Sequence, residues 1–484
     1  MNTPDSLTDC ASRFPRWMRT CAAALCLLVA TLPACASEEQ TAPPATSHLH
    51  GRITVSTEVD SSTDYSGFRV LVAEAQGRRV DTLAHAVTDT SGRFSVAVTA
   101  RDRGMYPLMI WGRRGQQRLA ASDFVVADGD TASLEVELPV RRNQLPIRSR
   151  ENAALMAYRN TMVLHRRTLT ERIGGDGFDE NAMAQSIRQT SSILWDMGRT
   201  YAGTYAGQLG MVESLGLLEG WSDSLVIARA RTIEPTNPRF AEAARIARRT
   251  VARRAGQDSA LAAVEWFRER AVSDDQRAAL QSIIVMAHMD SLNQDAARAA
   301  AERLRDRYPD SEWAQWAERA QYEVENLLPG MPAPDIAART VRGDSVSLAN
   351  LRGRPVILEF YTPGNDLYEQ QMSTRSTIYD ATRADSVAFV SVSLEPDTLL
   401  NEAFREGRTL PGHHVIAPGG REGTWAEMYN VAVLPTRVLI DADGTIVNKY
   451  AGSALLSMQD DLARLLESRR TAQEPSSAND DSSP

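Results

Sequence analysis

Val356-Ile357-Leu358-Glu359-Phe360-Tyr361, followed at once by Thr362-Pro363-Gly364-Asn365, is the stretch that decides the fold of the C-terminal part of this 484-residue chain. A short run of apolar and aromatic residues, bounded by Pro355 and by turn residues, reads as a strand rather than a helix. Its neighbours carry further punctuation. Upstream stand Pro329-Gly330-Met331-Pro332-Ala333-Pro334-Asp335, then Val346-Ser347-Leu348, then Leu351-Arg352-Gly353-Arg354-Pro355. Downstream, Val433-Leu434-Pro435-Thr436 precedes Ile440-Asp441-Ala442-Asp443-Gly444-Thr445-Ile446-Val447, a strand, a Gly-containing turn and a second strand, with Gly452 beyond.

This order of motifs resembles the TlpA-type and AhpC/TSA-type thioredoxin-like families. In them "PGxxAPDF", "VSLxxLRGK" and a buried central strand ending in two aromatics precede the active site. The resemblance covers about 140 residues and implies an α/β thioredoxin-like domain over 329–467, with Leu434-Pro435 in the cis-proline loop and 440–447 as the following hairpin. It also implies thiol chemistry, which the residues present do not supply. A redox thioredoxin sets Cys-x-x-Cys at a helix N-terminus, where the dipole favours the thiolate that attacks a disulfide. Counted from Phe360-Tyr361, those two positions are Asn365 and Tyr368. An amide is no nucleophile, and a phenol with a pKa near 10 does not exchange with disulfides. The peroxidatic position of the sister family, seven residues after Pro363, is Gln370, and the threonine expected three residues before it is Leu367. Thiol-disulfide oxidoreductase and peroxidase activity therefore rest on the resemblance alone.

Two other groups near the site invite a role. The family's buried acid, which manages the resolving thiol's proton, corresponds to Glu359; without that partner, a buried carboxyl is expected to have a raised pKa and is a candidate general acid. Bonding to a water, or weaker burial, are the alternatives. His413 and His414 lie in a Gly-Pro-rich stretch and read as surface loop residues. What survives the loss of thiols is the groove. The residue before the cis-proline, Leu434, offers backbone groups to an extended peptide in the family, and Gly364 with Asn365 forms the other wall, so Gly364, Asn365, Leu434 and Pro435 are the candidate peptide-binding set. A scaffold without a ligand is the competing reading.

The rest of the chain gives context. All four cysteines, Cys10, Cys21, Cys26 and Cys35, fall in the first 35 residues, so no thiol exists beyond them. Arg13, Arg16 and Arg19 precede an apolar run too short to span a bilayer, and Leu32-Pro33-Ala34-Cys35 resembles the bacterial lipobox. The reading is a signal peptide over 1–34, lipidation at Cys35 and a tether over 35–47; an ordinary signal peptide cut nearby is the alternative. Ala36 after the cysteine fits sorting to the outer membrane, facing the periplasm. A net charge of -9 disfavours nucleic acid as a partner. Lys449 is the only lysine, which removes Walker-type phosphate loops and lysine Schiff bases.

Over 48–140, short alternating segments near 50–59, 68–75, 93–98, 107–111 and 132–138 predict a small antiparallel β-sandwich. Thr88-Asp89-Thr90-Ser91-Gly92-Arg93-Phe94 resembles the turn signature of carboxypeptidase-regulatory-like, prealbumin-type sandwiches, which implies that Asp89 bonds the turn, Gly92 takes positive φ and Phe94 points inward. His48 and His50 share a strand face without a further ligand cluster. Over 145–327 the apolar period shifts to that of helices, and 295–325 resembles one tetratricopeptide-type helical pair. There Trp313 and Trp316 read as packing residues, and His165 and His288 as isolated surface or packed histidines. The segment 471–484 reads as a disordered tail. The whole predicts a multidomain envelope lipoprotein that needs no cofactor or metal, held to the membrane by its lipid. Its partner is an envelope protein or peptide, bound by the groove or docked on the TPR-like helices.

Overall fold

The computed structural model describes residues 44–76, 79–115, 117–140, 145–173, 179–408 and 410–473. Cys35, the export signal and most of the tether lie outside them. Two compact units are present, divided after Ser149.

The first unit holds eight strands: β1 (Ala45–Val55), β2 (Arg69–Gln76), β3 (Arg79–Val87), β4 (Arg93–Ala100), β5 (Gly104–Trp111), β6 (Arg118–Val126), β7 (Thr131–Leu138) and β8 (Ile147–Arg148). They form two four-stranded sheets, β4-β1-β7-β8 and β3-β2-β5-β6. Alternation does the sorting. In β1, Leu49, Ile53 and Val55 are buried while His48 and His50 face solvent, as period 2 requires. One apolar cluster joins both sheets, with Leu49, Ile53 and Leu134 from one and Val70, Leu108, Ile110 and Phe124 from the other. The sheets are not wholly antiparallel, because β1 pairs with β7 in parallel. β3 and β6 were not visible as strands in the sequence, and the unit begins earlier and ends later than 48–140, since β1 starts at Ala45 and Leu145 still packs in its core. At the β3–β4 turn the Asp89 carboxylate accepts from Ser91 N and Arg93 N, both at 2.9 Å. Gly92 sits at φ 81 with Ile53 O where a Cβ would go, so only glycine fits.

The second unit opens with eight helices: α1 (Arg150–Ile173), α2 (Glu180–Thr200), α3 (Tyr205–Leu218), α4 (Asp223–Ala230), α5 (Phe240–Arg268), α6 (Asp274–Asp290), α7 (Gln294–Arg307) and α8 (Glu312–Asn326). Local signals fix their starts: Ser273 Oγ caps α6 at Gln276 N, with Asp274 and Asp275 in the first turn. Asn293 caps α7 at Ala296 N. α7 and α8 pack through small faces at helical spacing, Ala297-Ala300-Ala301-Leu304 and Ala314-Ala317-Ala320-Val324. Trp313 and Trp316 pack edge to face at 6.0 Å beside Leu304 and Tyr308. His165 is buried against Thr190 Oγ1. Among the described residues no helix is long and apolar enough to cross a membrane.

The remainder of this unit is an α/β domain. The short hairpin β9 (Ala337–Arg339) and β10 (Ser345–Ser347) leads into β11 (Val356–Tyr361), α9 (Asp366–Ala381), β12 (Ala388–Ser393), α10 (Thr398–Arg405), β13 (His413–Ile416), α11 (Thr424–Met428), β14 (Thr436–Ile440), β15 (Ile446–Ala451) and α12 (Leu455–Gln473). The five-stranded order is β13-β12-β11-β14-β15, with β11, β12 and β13 parallel and β14 and β15 antiparallel. β11 is buried on both faces, as a central strand covered by helices must be. Ile357 and Leu439 pack under α9 and α12 with Ile378, Met458 and Leu462, while Val356, Leu358 and Phe360 face Ile336, Leu348 and Leu351 on the other side. α12 runs to Gln473, past the 471 start expected for the tail, and the residues after it lie outside those described. His413 and His414 are strand residues rather than a loop pair, and His414 is buried.

The only lysine closes the seam between α8 and this domain. Lys449 Nζ donates to Glu323 Oε2 at 2.9 Å and to Asn430 O at 3.1 Å, and Asn430 Nδ2 reaches Glu323 Oε2 at 2.7 Å.

Candidate functional site

The β11–α9 junction is where the sequence places the degenerate redox motif. Gly364 takes φ 74 in the turn, and no atom lies near enough to crowd a Cβ, so backbone conformation is what its glycine serves. Asn365 is the N-cap of α9: its side-chain oxygen accepts from Tyr368 N at 2.8 Å, and its carbonyl from Glu369 N at 3.0 Å. The first-cysteine position thus supplies the capping oxygen for the helix N-terminus itself. Tyr368, at the second position, is 1% exposed. Its ring stacks on Tyr361 at 4.4 Å and 18°, with Phe404, Leu410 and Met372 completing the cluster. Gln370 is exposed on α9 and Leu367 half-buried.

Beneath the aromatic pair lies a buried ionic centre. Glu359, on β11, accepts from Arg375 Nε at 2.7 Å, Arg437 Nε at 2.8 Å, the Tyr368 hydroxyl at 3.1 Å and Ser391 Oγ at 3.2 Å. The register explains the convergence, because Glu359 lies opposite Ser391 on β12 and Arg437 on β14, and α9 lays Arg375 over them. Arg375 also donates to Ser391 Oγ at 2.7 Å and Pro411 O at 3.2 Å, and Arg437 Nη1 to Gln371 Oε1 at 2.9 Å. All three charged side chains are nearly inaccessible.

This arrangement corrects the expectation for Glu359. Burial alone would push its pKa up, but two guanidiniums at hydrogen-bond distance outweigh burial and hold it down at about 2. A carboxylate so clamped is a counter-ion and not a general acid near neutral pH. Tyr368 is pushed well above the ordinary phenol range by burial and by the Glu359 charge, and Tyr361 to about 12 for the same two reasons. Neither phenol ionises at physiological pH. Arg375 and Arg437 were missed from sequence, although Arg437 inside the otherwise apolar Thr436-Arg437-Val438-Leu439-Ile440 was a readable signal of a buried anion opposite it.

The candidate groove lies on the flank of this centre. Leu434-Pro435 is a cis peptide bond. The Leu434 side chain is buried, while Val433 beside it is 52% exposed. Pro435 O accepts from Gly452 N at 2.7 Å, and Gln371 Nε2 donates to Gly452 O at 3.3 Å, which ties the loop to α9. The Leu367 and Val433 side chains flank Gly452, each 3.8 Å from where a Cβ on that glycine would stand. Gly364 and Asn365 stand at the α9 N-terminus. Among the described residues no His, Asp and Glu cluster is placed to hold a metal.

Residues 329–449 match the AhpC/TSA family. The C-terminal domain is thioredoxin-like, of the AhpC/TSA and TlpA-like group. Its relatives are thiol-disulfide oxidoreductases. The thiol-disulfide oxidoreductase ResA of Geobacillus kaustophilus is 29% identical over 139 residues, 29% of this chain and 76% of that protein. The sporulation thiol-disulfide oxidoreductase A of Bacillus subtilis is 27% identical over 133 residues, 27% of this chain and 78% of its own length. Among solved structures, a thiol-disulfide oxidoreductase from Bacteroides fragilis is similar at 22% identity and a TM-score of 0.25, covering 27% of this chain and 98% of its own. In this domain the two positions that the sequence assigns to the cysteine pair, Asn365 and Tyr368, serve as a helix cap and a core aromatic.

Proposed function

We propose that this chain is an envelope lipoprotein, anchored through Cys35, whose thioredoxin-like domain works without thiols as a peptide- or protein-binding module. The observation that carries the reading is the rebuilt β11–α9 junction. Asn365 is spent on capping, Tyr368 on the core, and Glu359 is fixed as a carboxylate between Arg375 and Arg437. No group there is poised for nucleophilic attack or for proton transfer near pH 7. The groove at Leu434-Pro435, Gly364 and Asn365 keeps what a strand-adding peptide uses: backbone groups beside the exposed Val433 and the half-buried Leu367. In this reading the N-terminal sheets form a prealbumin-type β-sandwich, and the helices, with the TPR-like pair α7–α8, space the module from the outer membrane into the periplasm.

The test has two arms. The purified chain neither reduces insulin nor consumes peroxide above background. In intact cells, a photo-crosslinker at Val433 captures a protein that the same crosslinker on the far end of α12 does not. Turnover abolished by Glu359→Gln, or identical capture from both positions, overturns the proposal.

A further inference from the structure

Strand register fixes what stands at the groove end of the five-stranded sheet. β11 and β12 run parallel and finish together, with Tyr361 opposite Ser393, and Leu394 N still donates to Tyr361 O at 2.8 Å, so Glu395 is the first residue clear of the sheet. β14 starts and β15 stops at the same end, where Gly452 N donates to Pro435 O at 2.7 Å. The groove therefore crosses four strand ends, from Glu395 past Thr362 and Pro435 to Gly452.

Its two ends differ in character. The Gly452 end is apolar: Leu367 and Val433 are its walls, the exposed Leu456 follows in the first turn of α12, and neither 429–435 nor 452–454 holds a charged residue. The Glu395 end is acidic. Asp366, Glu395, Asp397 and Glu422 stand in the loops 362–366, 394–398 and 417–423, against Arg421 alone. Asp397 caps α10 through Leu399 N at 2.8 Å, and Asp366 lies in the first turn of α9, where it offsets the positive end of the helix dipole. Glu395 serves no helix; its carboxylate accepts from Asp397 N at 3.0 Å, and among the described residues neither it nor Asp366 forms an ion pair. Between the two ends, the Leu434 N–H and carbonyl take part in no hydrogen bond among the described residues, which leaves them for an added strand.

We propose, resting on the groove reading above, that the occupant is an extended basic segment with an aliphatic side chain at the Gly452 end and an arginine or lysine at the Glu395 end. Three strand spacings of about 4.8 Å, or about 14 Å, separate the two ends, and an extended chain covers that distance in about four residues. The aliphatic and the basic residue of the ligand therefore stand about four positions apart. The aliphatic group covers the Leu367 and Val433 walls, the cation meets Glu395 and Asp366, and Leu434 bonds the backbone between them.

Fluorescence anisotropy on the full chain with short labelled peptides of serine and threonine tests this. The parent peptide carries leucine and arginine four positions apart and is made in both orders. Counter-peptides put glutamate for the arginine, put serine for the leucine, or set the arginine beside the leucine. One order of the parent saturates, and each counter-peptide binds on the order of threefold or more weakly. Asp366→Asn with Glu395→Gln erases the preference for arginine over glutamate, and Val433→Ser erases the preference for leucine over serine. These are ratios within one variant, so a general loss of stability does not imitate them. Indifference to arginine or to its spacing, or preferences that survive the variants, overturns the assignment and leaves the groove reading standing. If no peptide saturates, the assignment also falls, and capture by the crosslinker at Val433 decides whether the groove reading falls with it.

Discussion

Glu359→Gln is the perturbation that reads the ionic centre most directly. The change keeps the shape of the side chain and removes the only charge that opposes Arg375 and Arg437 among the described residues, leaving two buried guanidiniums facing an amide. Breaking a buried pair from one side costs about 3–5 kcal/mol. The titration gives an independent magnitude: a carboxyl held at about 2 in the fold against 4.5 in the open chain contributes about 3 kcal/mol at neutral pH. The folded pKa is depressed, so this stability is fully present above pH 4.5 and is lost as pH falls from 4.5 towards 2. Because a multidomain chain does not unfold in one step, the measurement is hydrogen exchange by mass spectrometry on peptides spanning β11 and β14 at pH 7. At about 1.4 kcal/mol per tenfold, the variant's core amides exchange on the order of a hundredfold faster where exchange follows unfolding of the domain. Peptides from the N-terminal sheets stay unchanged. Exchange within about threefold of the parent in β11 and β14 would refute the claim that Glu359 is the ionised centre of this core.

Tyr368→Phe removes one hydrogen bond to the carboxylate and keeps the stacking, so the same peptides lose about 1–3 kcal/mol of protection, less than with Glu359→Gln. Asn365→Ala removes the cap and costs about 1 kcal/mol, with Asn365→Asp restoring it; the difference appears in exchange of the first turn of α9. Installing both cysteines, Asn365→Cys with Tyr368→Cys, leaves insulin reduction at background because Glu359 stays ionised and passes no proton, whereas turnover at the level of a ResA-type relative contradicts the clamp. Lys449→Met opens the α8 seam, and limited proteolysis then cuts near 327–332 faster than in the parent while the N-terminal sheets resist equally.

The thioredoxin-like element order was legible because the domain is punctuated by Pro and Gly at fixed offsets around strands of pure apolar character. Asn365 was also legible as the residue at the helix start, though its capping role came from its geometry. What the sequence hid was long-range. Glu359 meets Arg375 and Arg437 across 16 and 78 residues of chain, and a pattern read along one strand cannot tell whether a buried carboxyl finds a proton or a cation. β3 and β6 were missed because Asp81, Thr82 and His85 in one, and Ala120, Ala121 and Ser122 in the other, blur the alternation that marks a strand. His413 and His414 looked like loop residues because Pro411-Gly412 precedes them, yet β13 starts directly after that turn and buries the second ring.

The two substitutions at the β11–α9 junction and the two arginines on Glu359 belong to one physical arrangement. Removing two thiols from a redox site leaves a capless helix, a void under the aromatic pair and a buried acid with no proton partner, each a cost of one kcal/mol or more. In this chain Asn365 supplies the cap and Tyr368 fills the space and donates to Glu359. Arg375 and Arg437 then turn the acid into a permanent anion. A fold that had merely lost its cysteines would carry those defects unrepaired. Here Asn365, Tyr368 and Glu359 each have a structural partner, while the neighbouring loop at Leu434-Pro435 lies beside an exposed Val433. A junction fixed in this way beside an accessible loop supports the proposed thiol-free binding role.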